Sequence, residues 1–175
     1  MDSLGTLADA TEKVLRDVRH CLDVIQRFSR KPFDTPGDGV SVLRTLRNET
    51  YEDLNQIQHE YMILVAAKWL VTSGACPPAT TWSWNPRQTG TSAEPDLQGC
   101  HEGVILLSAE ITTSARPIGV IDTRMGRTLK KLSEVPGTLY YFVCSEAMRQ
   151  RATTKTRKAG WPIRVVLLDG EAPIP

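Results

Sequence analysis

The stretch GVILLSAEITT (residues 103–113) decides the fold. It is apolar and β-branched almost throughout, the composition of a buried strand. Strand alternation puts Leu106, Ser108, Glu110 and Thr112 on one side, and Leu107, Ala109 and Ile111 on the other. One face is therefore oily, and the other carries a polar strip with a carboxylate in it. A charge inside a core strand is costly unless it is paired or binds a metal, so Glu110 marks a candidate site. Just upstream, EPDLQG (residues 94–99) offers Asp96 after a polar stretch. If Asp96 lies on the neighbouring strand, its carboxylate can approach that of Glu110. Two carboxylates held together repel, and a hard divalent cation relieves the repulsion. Such an oxygen site suits Mg²⁺, which keeps several waters and bridges to phosphate oxygens. A cation so placed can activate water and stabilise charge developing on a phosphodiester.

Outward from this strand, the chain alternates helices and strands. Residues 3–30 read as an amphipathic helix, with Leu7, Val14, Val18, Leu22 and Ile25 at three- and four-residue spacing. KPFDTPGDG (31–39) breaks it. A second helix is expected from about Ser41 to Val71, ending at SGACPP with Gly74 as its cap. On it Glu60, Ile63, Leu64 and Ala67 share one face, and Glu60 is the polar member of that stripe. TTWSW (80–84) is β-rich and NPRQTGTSAEP (85–95) is a polar loop. A helix from Arg124 to Val135 stops at Pro136-Gly137, and TLYYFVCS (138–145) is the next strand. Glu146–Ala159 is a basic helix opened by Ser145 and closed by Gly160. PIRVVLLD (162–169) is the final strand. This order predicts an α/β fold, a mixed central sheet with helices on both faces. The most apolar runs, 104–107 and 165–168, are expected at central positions of the sheet. The expected division is an N-terminal helix and linker (1–40) as a candidate dimerisation element, a core (41–170) and a flexible tail (171–175).

The totals exclude several classes. With 41% apolar and 23% charged residues in a chain of 175, the composition is that of a soluble globular domain. No run approaches the roughly 18 uninterrupted apolar residues of a membrane span. The start MDSLGTLADATEK carries acids and fits neither a signal nor a transit peptide, so a cytoplasmic protein is expected. Cys21, Cys76, Cys100 and Cys144 form no CxxC pair and read as reduced structural thiols. Net charge is only +1, but its distribution is uneven. From Arg124 to Arg164 there are ten basic residues against Glu134 and Glu146, a local surplus of eight. That is the footprint of a polyanion site, or a solvated face balancing an acidic N-terminal half.

PDLQG followed by VILLSAEIT resembles the PD-(D/E)XK nuclease superfamily, which includes many type II restriction endonucleases. In that family a Pro-Asp precedes a hydrophobic strand that ends in acid, any residue, lysine. The order of elements matches from about Tyr51 to Asp169. The resemblance implies a restriction-endonuclease-like core and a Mg²⁺-dependent endodeoxyribonuclease, with Asp96 and Glu110 as metal ligands. Glu60 would be the acid of the first core helix that assists the metal. The chain departs from the family at Thr112, which stands where the family has lysine. Lys130 or Lys131, on the following helix, could supply the missing amine.

A nuclease of this kind grips double-stranded DNA by its phosphates, a salt-dependent contact. Arg124, Arg127, Lys131, Arg149, Arg151 and Lys155 are the candidates for it. Asn85, Arg87 and Gln88, in a loop flanked by Trp82 and Trp84, could read base edges. Cutting both strands of a palindrome needs two sites related by a two-fold axis, so a homodimer is expected, with the first helix a candidate for its contact. Two alternatives remain: a structure-specific repair nuclease on the same fold, and a catalytically weakened DNA-binding module.

Overall fold

The computed structural model describes residues 2–85 and 94–168. Within them, six strands form one mixed sheet in the order β1 (Asp2–Gly5), β2 (Thr81–Trp84), β3 (Leu97–His101), β4 (Val104–Thr112), β5 (Thr138–Val143), β6 (Ile163–Leu167). β1 to β4 pair antiparallel; β4, β5 and β6 pair parallel. The parallel pairs need crossovers, which are α3 (Val120–Leu132) and α4 (Glu146–Ala159). Gly137, at a positive φ of 89°, opens β5; a Cβ there would sit 2.8 Å from the Leu107 nitrogen, so only glycine lets this turn lie against β4.

The two faces divide as the alternation in β4 requires. Leu107, Ala109 and Ile111 join Tyr140 and Phe142 in a core with α1 (Leu7–Ser29) and α2 (Pro36–Thr72). Leu139, Tyr141 and Val143 pack under α3 and α4 against Met125, Leu129, Leu132, Met148 and Ala152. The result is an α/β fold of three layers. No helix among the described residues is long and apolar enough to cross a membrane. All four cysteines are free thiols.

Several elements differ from the sequence expectation. Residues 2–5 are a strand on β2, not the start of a helix. The helix begins after Thr6, whose hydroxyl accepts from Asp9 N (3.1 Å) while Asp9 Oδ2 accepts from Thr6 N (2.9 Å), a capping box. α2 starts at Pro36 rather than Ser41, because Thr35 caps it and proline is well suited to a first helical position. α3 covers Val120–Leu132 rather than 124–135. EPDLQG, open in sequence between a loop and a strand start, leads into the strand β3, which forms a hairpin with β4 across Glu102-Gly103, both at positive φ (49° and 78°). β6 is an edge strand rather than a central one, since β5 takes the place between β4 and β6. The first helix is also no mere appendage: Ala10 and Val14 belong to the main core. The tail at 171–175 lies outside the described residues.

Candidate metal and nuclease site

Asp96 directly precedes β3, and the pairing of Leu97 with Ala109 and Gln98 with Ser108 brings it level with Glu110. Both acids therefore belong to the polar face of the hairpin. Below them Gln98 Nε2 donates to Ser108 Oγ (3.1 Å), which donates to the Pro136 carbonyl (2.8 Å). The hairpin itself fixes Asp96, whose Oδ2 accepts the backbone N–H of Ile111 at 2.8 Å. From α2, His59 Nε2 lies 3.3 Å from the same oxygen.

The two acids are almost sealed from water, Asp96 at 3% and Glu110 at 4% exposure. Burial, the Asp96 charge and a hydrogen bond shared with Asp96 raise the Glu110 carboxyl to about 8, against the opposing pull of Lys131. Lys131 Nζ stands 2.8 Å from Glu110 Oε1. This is an ion pair by distance but not by hydrogen-bond alignment, for Oε1 is buried without a hydrogen bond. Tyr141, opposite Glu110 on β5, shares a hydrogen bond with Thr112; burial and the Glu110 charge push its phenol well above the usual range.

The other expected site residues separate into those near the pair and those elsewhere. Thr112 is half-buried and accepts from Ser114 N (3.3 Å), at the end of the Glu110 strand. Lys131 reaches Glu110, whereas Lys130 is exposed. Glu60 is fully buried, and both its oxygens are taken by Lys13 of α1 (2.7 and 2.6 Å), with Gln56 adding a contact at 3.2 Å. The α2 side chain that touches Asp96 is thus His59, one residue before Glu60. His59, Tyr141 and Lys13 were not singled out from sequence. Tyr141 carried no signal beyond its strand, and Lys13 none beyond a charge on an amphipathic helix.

The basic surface is partly spoken for. Arg151 makes a two-pronged contact with Asp122 (2.7 and 2.8 Å) and Lys155 joins it at 3.2 Å, tying α4 to α3. Arg149 is held by Glu146 at 2.8 and 2.9 Å. Arg124 and Arg127 are exposed on α3, with Arg157 and Lys158 exposed on α4. Asn85 closes the neck of its loop, its backbone N–H donating to the Asp96 carbonyl (2.8 Å) and its amide to Glu94 (3.3 Å). Arg87 and Gln88 lie outside the described residues.

Among the described residues no three of His, Cys, Asp and Glu converge as a ready-made metal cage. Mg²⁺ does not require one: one or two carboxylates, with waters and substrate phosphate, commonly complete its shell. Two adjacent carboxylates, one with an oxygen lacking a hydrogen bond, fit that demand. Comparison with protein-family models, curated proteins and solved structures gives no match for this chain.

Proposed function

We propose that this chain is a Mg²⁺-dependent endodeoxyribonuclease of the restriction-endonuclease type, acting on double-stranded DNA. One observation carries the reading: Asp96 and Glu110 stand level across the β3–β4 hairpin in a buried site, with a lysine ammonium 2.8 Å from Glu110. Two acids and an amine are the polar groups that the resemblance calls for. The amine comes from α3 rather than from the strand position held by Thr112.

In this reading Asp96 and Glu110 hold Mg²⁺, which when bound supplies a Lewis acid for phosphodiester hydrolysis. The Ile111 N–H and His59, both on Asp96 Oδ2, would fix the orientation of that carboxylate. Lys131, 2.8 Å from Glu110, would favour its ionised form once a cation is bound, and would supply positive charge to the phosphate in the transition state. Arg124 and Arg127, exposed on the same helix as Lys131, would grip phosphates.

Incubation of supercoiled plasmid with the protein and Mg²⁺ tests the reading. Discrete linear fragments are expected, with Asp96→Ala and Glu110→Ala losing at least about 100-fold of the rate, as for removal of a charge-stabilising group, while retaining DNA binding. Smears or junction-specific cuts would favour a repair nuclease. A second reading has an observation in its favour: both acids already have internal partners, His59 and Lys131. A DNA-binding module that no longer cuts would leave the plasmid intact at every Mg²⁺ concentration.

A further inference from the structure

Ile118 and Val120, at 68% and 76%, are the two most exposed large apolar side chains among the described residues. They flank Gly119 in the crossover from β4 to α3, the segment that leaves the strand carrying Glu110. That segment is pinned. Ser145 Oγ, just past β5, donates to the Ala115 carbonyl (2.6 Å), Ile118 N donates to Arg116 O (3.1 Å) and Ile121 N to Ile118 O (3.2 Å). Apolar side chains left in water on a fixed turn gain nothing from folding. Their surroundings are positive. Between Ser114 and Thr128 the charged residues are Arg116, Arg124, Arg127 and one acid, Asp122, which Arg151 and Lys155 hold on the α4 side of α3. On the flank of α3 opposite Asp122, Val120, Arg124, Arg127 and Lys131 follow one another at i, i+4, i+7 and i+11. This row runs from the apolar tip, over two exposed arginines, to the ammonium beside Glu110. From Val120 to Lys131 the helical rise amounts to roughly 16 Å, about five base steps of DNA.

We infer that Ile118, with Val120 beside it, is a wedge that enters a base step of duplex DNA from the minor groove, about five base pairs from the phosphate at the carboxylate pair. The inference rests on the nuclease reading above and adds how such an enzyme selects its substrate. An aliphatic side chain driven between bases unstacks them and kinks the duplex. The deformation is easiest at pyrimidine–purine steps, so the wedge favours a TA or CA/TG step at that distance without a hydrogen bond to any base. Charge and course decide the occupant. Exposed arginines on both sides of the tip suit a polyanion. A protein or lipid partner on the tip would not account for a row that leads from it to Lys131 and Glu110.

Titration of the full chain, without Mg²⁺, into two short fluorescent duplexes tests this: one fully paired, one with a single central mismatch, each at several salt concentrations. A mismatch has already lost part of its stacking, so the mismatched duplex should bind on the order of 10-fold more tightly. The double variant Ile118→Ser with Val120→Ser should bind both duplexes alike and keep the salt slope, while Ile118→Met should retain the preference. Arg124→Gln should do the reverse, lowering the slope and keeping the preference. Melting of the serine variant should be unchanged, because both side chains are exposed. Equal affinity of the wild type for the two duplexes, or a preference that survives loss of both apolar side chains, overturns the wedge and leaves the nuclease reading standing. A wild-type protein that binds neither duplex removes both.

Discussion

At the scale of single residues, two carboxyls and an amine set the behaviour of the site. In the unfolded chain Glu110 ionises near 4.5, whereas in the folded protein it holds its proton to about 8. Between those values the native state binds more protons than the unfolded one, so unfolding free energy falls as pH rises through the window. The stability is fully present below about 4.5 and lost above about 8. Urea titrations of metal-free protein across this range should show the decline, and Glu110→Gln should flatten it; equal slopes for the two proteins would refute the assignment. The amine gives a second prediction. Lys131→Met should cost on the order of 100-fold or more in cleavage rate, as for loss of a transition-state charge partner. Lys130→Met, on an exposed side chain, should weaken DNA binding slightly and leave the rate of bound enzyme alone. Single-turnover rates at saturating protein separate the two; matching losses would mean that Lys131 only balances a buried acid. Sequence could place Asp96 and Glu110 because an acid breaking an oily strand is a local anomaly. It could not choose between adjacent lysines, because that depends on the rotation of α3 over the sheet. His59 escaped for a similar reason: its partner is 37 positions away.

At the scale of elements, legibility followed the strength of local patterning. β4, β5 and α4 were readable from apolar runs and from the Ser145 and Gly160 caps. β3 was readable only as a loop or a strand start: LQGCH is short, holds a glycine, and is a strand because Glu102-Gly103 turns it against β4. β1 was hidden because Leu4 and Leu7 continue the helical spacing of α1 across the capping residue Thr6. The position of β6 at the edge depends on pairing order, which no single strand encodes. The seam between α1 and α2 holds a further dependence. Glu60 is fully buried, and Lys13 supplies its charge partner from a side chain 31% exposed. Removing one partner of a buried pair strands the other, at a cost of about 3 kcal/mol or more. Lys13→Met should therefore destabilise the fold by that order, and the double variant Lys13→Met with Glu60→Leu should recover most of it. Chemical denaturation measures both. If Lys13→Met alone is neutral, solvent reaches Glu60 and the seam is wetter than its geometry indicates.

For the whole molecule, the question is how much of the positive charge is available to a polyanion. The surplus counted from Arg124 onward begins two residues after Asp122, the acid that binds both Arg151 and Lys155. Arg149 is likewise engaged by Glu146, and Lys131 by Glu110. Four of the six basic residues assigned to phosphate contact on and after α3 thus have internal carboxylate partners, leaving Arg124 and Arg127. Each phosphate contact releases condensed counterion and steepens the fall of log affinity with log salt by nearly one unit. Arg124→Gln and Arg127→Gln should each reduce that slope by about one, with melting unchanged. Arg151→Gln should leave the slope almost as it was, since Asp122 would have to be displaced before Arg151 could meet a phosphate. Titrating a fluorescent duplex with Glu110→Gln protein, at several salt concentrations and without Mg²⁺, measures binding free of cleavage. Equal slope losses for Arg124 and Arg151 would mean that the α3–α4 ion pairs open on DNA and that the whole basic helix engages it. Unchanged slopes for Arg124 and Arg127 would leave the nuclease reading without a phosphate grip on α3.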